Sequence, residues 1–168
     1  GAVLTFSDIS DLRRAELAQQ NSETRFRHVW DASQEGLLVS NSEGSIVLVN
    51  PALEAMFGYP PGELVGQSVE VLVPEPLREH HKQVRKNFSH TSSQTRNARM
   101  VRDIRGLRRD GSEFFAEISL SSLMMDGAPH VLASASDITE RKRGEDALRD
   151  RQFKLNAIIG YSPSALSV

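Results

Sequence analysis

A short strand that runs directly into a short helix is the clearest pattern in this chain. Residues 46–49 are all apolar and predict a strand, and Asn50 and Pro51 follow as the start of a helix. The Asn50 side chain can cap that helix, and Pro51 removes only an amide that has no partner within a helix. Gly58 predicts the end of the helix. A second strand is predicted just before this unit, over residues 36–40.

The remaining apolar blocks predict two further helices and three long strands. Residues 67–73 and 77–88 have the spacing of short helices. Strands are predicted over 98–109, 113–123 and 129–138. Asp110-Gly111 predicts a type I′ turn, and Asp126-Gly127 predicts a second hairpin. Asp137 and Glu140 predict a capping box that starts a helix directly after the last strand. We therefore expect an α+β fold, in which short helices cup a five-stranded antiparallel sheet.

The two ends of the chain repeat one another. Residues 7–16 match residues 136–145 at a constant offset of 129 residues, and the match continues without a gap to Leu37 and Leu166. A helix is predicted over residues 11–32, capped by Asp8 or Ser10, with a narrow apolar stripe typical of a weak coiled coil. Residues 1–7 are strand-like. The repeat predicts one whole domain, preceded by the last strand of one copy and followed by the start of another.

Composition excludes several kinds of function. The chain has 168 residues, no cysteine and a net charge of −2. Disulfides, thiolate metal sites and cysteine nucleophiles are therefore excluded, and the charge does not favour nucleic-acid binding. No apolar run is long enough to span a bilayer. We expect a cytoplasmic fragment that has no membrane segment and binds no nucleic acid. The basic runs Arg108-Arg109 and Arg141-Lys142-Arg143 are expected to be solvated faces.

Residues 44–66 carry a family resemblance. Gly44, Asn50 and the sequence from Phe57 to Gly66 fit the pattern "dG.i..vN" followed by "fGY...el.G", which resembles the PAS domain family. Residues 137–142 (DITERK) are typical of the end of a bacterial PAS domain. The resemblance implies the PAS fold, with linker helices at both ends. The expected divisions are a closing strand of a preceding repeat (1–10), a linker helix (11–24), the PAS domain (25–139), a second linker helix (140–158) and the start of a following repeat (159–168).

The third predicted strand suggests a ligand site. Because strand side chains alternate, Met100, Arg102 and Ile104 share one face, and Ile118 lies on the apolar face of the next strand. If this face lines the cup, Arg102 places a charge in an apolar cavity, which is costly. A polar or anionic ligand resolves the conflict. A shift of the strand register by one residue, or an ion pair with a nearby acid, resolves it equally well.

A second resemblance bears on the cofactor. Residues 74–81 (PEPLREHH) resemble the segment "PEP.R..H" of haem-binding PAS domains, and His81 falls on the position of their iron ligand. In the same alignment Arg102 falls on the arginine that binds oxygen. Neutral imidazole is a good iron ligand, and a guanidinium can stabilise a bound gas. The resemblance makes haem one candidate cofactor. A flavin, a small organic ligand and an empty core stay open.

The resemblance implies a sensory or signal-relay domain of a bacterial multi-PAS signal-transduction protein. Such a domain transmits a change in its sheet through the flanking helices of a dimer. The alternative is a haem-binding gas or redox sensor that uses His81 as its iron ligand. We expect no catalytic site in the fragment and a parallel homodimer through the linker helices, with Phe26, Val29 and Trp30 as apolar contacts. Neighbouring PAS and output domains of the parent chain are the other expected partners.

Overall fold

The computed structural model describes residues 5–91 and 99–160. Its helices and strands, in chain order, are α1 (Phe6–Ala32), β1 (Gly36–Asn41), β2 (Ile46–Val49), α2 (Pro51–Phe57), α3 (Arg78–Thr91), β3 (Arg99–Leu107), β4 (Glu113–Met125), β5 (Ala128–Asp137) and α4 (Thr139–Gly160). Two 3₁₀ helices, Val69–Leu72 and Glu75–Leu77, stand between α2 and α3.

The five strands form one antiparallel sheet with the order β2-β1-β5-β4-β3. The inner face of the sheet packs against α2 and the first 3₁₀ helix, and we call the opposite face the outer face. The α+β architecture with a five-stranded antiparallel sheet is therefore as predicted. The buried apolar core lies on the inner face and consists of Leu38, Ile46, Leu53, Phe57, Leu64, Leu72, Phe114, Ala116 and Ala135.

An aromatic pair occupies the centre of this core. Phe57 of α2 and Phe114 of β4 meet edge to face, with their ring centroids 5.0 Å apart. Gly106 of β3 lies against them, and a Cβ added there would come within 2.7 Å of the Phe114 ring. A glycine at this position allows β3 to approach the ring pair closely.

Asn50 caps α2 as predicted and makes further bonds that the sequence did not reveal. Its Oδ1 accepts hydrogen bonds from the backbone N–H groups of Leu53 (3.0 Å) and Leu37 (2.7 Å). Its Nδ2 donates to the carbonyl oxygens of Glu35 (2.9 Å) and Trp30 (3.2 Å). The side chain is fully buried. One amide thus joins the end of α1, the start of β1 and the start of α2.

The first helix begins earlier than predicted. The strand expected over residues 1–7 is absent at Phe6 and Ser7, which are helical, and residues 1–4 lie outside the described part of the chain. Asp8 accepts hydrogen bonds from the backbone N–H (3.4 Å) and hydroxyl (2.7 Å) of Thr5, so the helix starts there and not at Asp8 or Ser10. The matching residues after Ala135 are paired in β5, whereas none of the described strands lies beside Phe6. Without a partner strand, the segment satisfies its backbone groups as a helical turn.

Two predicted boundaries also shift. The division expected between residues 24 and 25 falls inside α1, which continues to Ala32. The second linker helix, predicted over 140–158, is α4, and it includes residues 159 and 160 that were assigned to a following repeat. The rest of that segment, residues 161–168, lies outside the described residues.

The turn between β3 and β4 differs in type from the prediction. A type I′ turn needs a positive φ at both central residues, yet Gly111 has a positive φ (86°) and Asp110 does not. Gly111 N–H donates to the carbonyl of Arg108 (3.0 Å), which closes a longer hairpin loop with the left-handed residue at its end. The other hairpin has a positive φ at both Asp126 (50°) and Gly127 (76°), as a type I′ turn requires.

Candidate functional site

His81 lies on the side of α3 that faces the first 3₁₀ helix. Its Nδ1 is 3.1 Å from Oε1 of Glu70, whose carboxylate is buried, whereas the neighbouring His80 is exposed. Glu70 Oε1 also accepts a hydrogen bond from Nε of Arg85 (3.0 Å), and its other oxygen accepts one from the hydroxyl of Ser68. The two rings therefore point in different directions around the helix, as helix geometry requires. His81 contacts Glu70 but keeps 40% of its side chain exposed.

The surroundings of Glu70 keep its carboxylate charged. Burial alone would raise the pKa of Glu70, but hydrogen bonds from Ser68, His81 and Arg85, together with the charge of Arg85, lower it below its ordinary value. Arg85 also donates to the carbonyl of Ser42 (3.3 Å), so this network connects α3 to the turn between β1 and β2. Gly44 in that turn has φ +87°, and a Cβ there would come within 2.3 Å of the guanidinium carbon.

A β-bulge in β3 changes which residues face the core. Val101 lies opposite Ile118, but the next described pair is Ile104 opposite Ala116, so Arg102 and Asp103 together oppose one residue of β4. Asp103 accommodates the extra residue with φ +60°, a conformation that aspartate tolerates better than most side chains. In the part of β3 that precedes Ile104, the bulge exchanges the residues of the two faces, so that Val101 is on the inner face and Met100 is not.

Arg102 and Met100 consequently do not line the inner face, and this differs from the predicted placement. Arg102 is largely exposed, and its Nε is 2.9 Å from Oε1 of Glu117 on the outer face. Met100 is 55% exposed. Both alternatives to a ligand are therefore present. The strand register shifts by one residue, and Arg102 forms an ion pair with Glu117. Simple alternation could not reveal a bulge that contains no glycine.

The other predicted site residues lie apart from these two. Ile104 and Ile118 pack against the buried core from the inner face, as predicted. His81 is bound to Glu70, and Arg102 is on the opposite face of the sheet. The structure therefore does not bring the five predicted residues to one centre. These residues do not fit a haem site in this arrangement, and the role of His81 as an iron ligand stays a prediction. Within residues 5–91 and 99–160, no three His, Cys, Asp or Glu side chains form a metal cluster.

The start of α4 is bound to β4 through backbone groups. Ile138 N–H donates to the carbonyl of Phe115 (2.9 Å), and Phe115 N–H donates to Oγ1 of Thr139 (3.3 Å). Thr139 N–H in turn donates to Oδ1 of Asp137 (2.9 Å). Asp137 thus orders the first turn of the helix as predicted, although the described contacts include no bond from Glu140 back to it. We call Phe115, Ile138 and Thr139 the sheet–helix junction.

Arg108 was predicted to be a solvated surface residue, and this was wrong. Its NH2 is 2.8 Å from Oδ2 of Asp137, its Nε donates to the carbonyl of Met56 (3.0 Å), and its guanidinium lies 4.5 Å from the centre of the Phe114 ring. One side chain therefore connects α2, β4 and the last residue of β5, directly before α4. The local sequence does not indicate that Arg108 has these partners, because Arg108 and Arg109 are adjacent arginines in the same polar surroundings.

The first turn of α4 is also paired with the sheet. Lys142 Nζ is 3.1 Å from Oδ1 of Asp103 and 5.1 Å from the centre of the Phe115 ring. Arg141 is 3.2 Å from Glu117. This basic segment was predicted to be a solvated face, and two of its residues instead contact β3 and β4.

Both flanking helices expose apolar side chains. Phe26 and Val29 of α1 are 56% and 73% exposed, and the Phe26 ring stacks on Trp30 at 5.5 Å. In α4, Phe153 and Ile158 are similarly exposed. Among the helices of the described ranges, none has an apolar stretch long enough to cross a membrane.

Curated relatives match most of the chain. It is 29% identical over 150 residues to the sensor protein FixL of Bradyrhizobium diazoefficiens, a match that covers 89% of this chain and 30% of FixL. It is 29% identical over 146 residues to the sensor histidine kinase TmoS of Ectopseudomonas mendocina, with 86% of this chain and 15% of TmoS covered. The chain thus spans less than a third of either relative.

Solved structures and a family model give the same assignment. The PAS domain of an HTR-like protein from Haloarcula marismortui superposes with a TM-score of 0.65 at 25% identity, and the match covers 75% of this chain and 99% of that one. A family model described as "PAS domain" matches residues 34–140, a range that holds the whole sheet and the junction with α4. This chain belongs to the PAS domain family.

Proposed function

We propose that this chain is a sensory or signal-relay domain of a bacterial multi-PAS signal-transduction protein, and that it transmits changes in its sheet through its flanking helices. The observation that carries the proposal is the attachment of α4. The helix begins at Thr139, with only Ile138 between it and the end of β5, and both Ile138 and Thr139 are hydrogen-bonded to Phe115 of β4. A change in the relative position of β4 and β5 therefore has to move the start of the helix.

The relatives support the same proposal. Two of them are named as a sensor protein and a sensor histidine kinase, and each is several times longer than this chain. We infer that the parent protein carries neighbouring PAS domains and an output domain, and that this fragment contributes no catalytic residue of its own. A cytoplasmic location for the fragment is part of the proposal.

The proposed dimer forms through α1 in parallel orientation. All of α1 except Trp30 is exposed along its length, and its apolar residues include Leu12, Phe26 and Val29. A single helix with exposed apolar residues is stabilised when a second helix covers them. The narrow stripe favours a weak pair, which can change register or rotation when the domain changes shape.

Insertions in α4 test the relay in the full parent protein. One residue added after Arg149 rotates everything beyond it by about 100°, whereas seven added residues restore the facing side to within about 20°. We expect the output activity to change strongly with one residue and to return with seven. An output that is the same for both insertions would contradict transmission through the helix.

The dimer has a separate test. Val29→Glu should lower the average molecular mass measured by sedimentation equilibrium from that of a dimer towards that of a monomer, because it places a charge in the apolar contact. Gln20→Glu on the same helix is the matched control and should leave the mass unchanged. A fragment that is monomeric before any substitution would remove the dimer from the proposal while leaving the domain assignment intact.

The haem alternative has less support from the geometry, since Arg102 lies on the outer face. Titration of the protein with haemin decides it. A Soret band that is lost in His81→Ala would restore the alternative, and a protein that takes up no haemin would exclude it.

A further inference from the structure

The two bulge residues of β3 are both connected to the first turn of α4 by ion pairs, Asp103 directly and Arg102 through Glu117. Arg102 and Asp103 together oppose Glu117. Glu117 is bound on one side by Arg102 (2.9 Å) and on the other by Arg141 of α4 (3.2 Å). Asp103 is bound directly to Lys142, the next residue of α4 (3.1 Å). Five charged groups from three elements therefore form two adjacent sets of ion pairs, and each set joins the bulge side of the sheet to the first turn of α4.

The helix alone does not explain this arrangement. Cations in the first turn of a helix are unfavourable, because the N-terminus carries the positive end of the helix dipole. Arg141 and Lys142 occupy that turn, and the carboxylates beside them come from the sheet. Glu117 is only 17% exposed, so its charge is partly shielded from water. The helix has one acidic residue of its own in this turn, Glu140, and the sheet adds the carboxylates of Glu117 and Asp103 beside the two cations.

Phe115 adds an apolar surface to the same place. Two cations lie over its ring, with Lys142 Nζ at 5.1 Å and the Arg105 guanidinium at 5.2 Å from the ring centre. Its backbone also makes both hydrogen bonds of the sheet–helix junction. The side chain of Lys142 is therefore held by a carboxylate and a ring together, and only a quarter of it is exposed.

We propose that the β3 bulge positions α4, with Arg102, Asp103 and Glu117 setting the orientation of the helix on the outer face. This inference rests on the proposed relay function and names the residues that perform it. Because side chains alternate along a strand, loss of the bulge would turn Arg102 to the inner face and withdraw it from Glu117. Movement of β3 against β4 is thereby converted into release of the first turn of α4.

Amide hydrogen exchange measured by NMR tests the proposal. Glu117→Gln and Asp103→Asn keep the shape of each side chain and remove its charge, and asparagine also tolerates the positive φ of the bulge. We expect protection of the amides of residues 142–146 to fall about fivefold, which corresponds to about 1 kcal/mol, with a larger loss for Glu117→Gln. Amides paired between β4 and β5 should keep their protection.

Matched variants on α4 separate positioning from general stability. Lys142→Gln should reproduce the loss, and Lys142→Arg should restore protection because it keeps the ion pair. Arg143→Gln is the control, since Arg143 has the same charge on the same helix and makes no ion pair among the described residues. An equal loss in the sheet and the helix, or no loss at all, would overturn the proposal.

A distance measurement gives the orientation directly. The chain has no cysteine, so spin labels on Met124→Cys, an exposed position of β4, and on Asp150→Cys report one distance between the sheet and α4. Glu117→Gln should add a second population to that distribution. An unchanged distribution would refute positioning by the bulge whatever the parent's output does. If the helix moves but the output of the parent protein does not change, the positioning role stands and the relay function fails.

Discussion

Asn50→Ala should destabilise the domain by about 3 kcal/mol, because the buried Asn50 amide makes four hydrogen bonds. Each such bond contributes about 1 kcal/mol net. Leu53 N–H has a second acceptor in the backbone carbonyl of Asn50 (3.1 Å), so its loss is partly compensated. Leu37 N–H and the carbonyls of Trp30 and Glu35 lose the Asn50 side chain as a partner. The expected loss is a large part of the total stability of a typical domain, which is about 5–15 kcal/mol.

The assay is urea unfolding followed by circular dichroism and by tryptophan fluorescence. Trp30 is the single tryptophan of the chain and lies at the end of α1, so its emission reports on the connection that Asn50 makes. Asn41→Ala is the control, because Asn41 accepts two turn hydrogen bonds at a more exposed position and its loss should cost about 1 kcal/mol. The reasoning is refuted if Asn50→Ala costs no more than Asn41→Ala.

Asn50→Asp separates the acceptor from the donor. The carboxylate can still accept from Leu37 and Leu53, but it faces the carbonyl oxygens of Trp30 and Glu35 in place of an N–H donor. At neutral pH this variant should be at least as unstable as Asn50→Ala, because a buried charge meets two acceptors. Relative to the wild type at each pH, it should recover in acid, when the carboxyl carries a proton.

Three further predictions concern the core and the Glu70 network. Folding lowers the pKa of Glu70, so its charged form stabilises the protein above the ordinary pKa of 4.5. That contribution is lost as the pH falls through the lowered pKa. The urea midpoint of Glu70→Gln should therefore fall less steeply in acid than that of the wild type. Gly44→Ala should cost about 1–2 kcal/mol for its positive φ plus the displacement of Arg85, and Gly62→Ala, with a similar φ and open space around it, measures the φ cost alone. Gly106→Ala should destabilise by about 1–3 kcal/mol through overpacking of the ring pair, and a thermal midpoint equal to that of the wild type would contradict the close approach.

The unit from β2 to Gly58 was predictable because its signals are local. The Asn50 side chain caps α2 by accepting a hydrogen bond from the N–H of Leu53, three residues later, and Gly58 ends the helix with φ +75°. Neither depends on the rest of the fold. The additional bonds from Asn50 to Trp30 and Glu35 reach 20 and 15 residues back, and nothing in the sequence around them marks those carbonyls as acceptors.

Long-range pairing accounts for what the sequence misplaced. The face of Arg102 depends on a bulge that exists only because β3 pairs with β4 around Asp103. Arg108 was classed with its neighbour Arg109, yet its partner Asp137 lies 29 residues further on. Long-range pairing also decides the start of α1. The matching residues at the end of β5 form a strand because β4 pairs with them, whereas none of the described strands pairs with Phe6 and Ser7, which are helical.

The attachment points of the two flanking helices lie at one end of the sheet. Gly36, the first residue of β1, pairs with Ala135 near the end of β5, so the chain arrives from α1 beside the place where it leaves for α4. Asn50 joins α1 to β1, and Phe115 joins α4 to β4. Since β5 is the strand between β1 and β4, its hydrogen bonds give one route by which a rotation of α1 reaches α4. A second route runs from Asn50 through α2 to Arg108, which is bonded to both Met56 and Asp137. A relay of this form needs no passage through the core, so substitutions that only repack the inner face should change stability and leave the coupling between the helices intact.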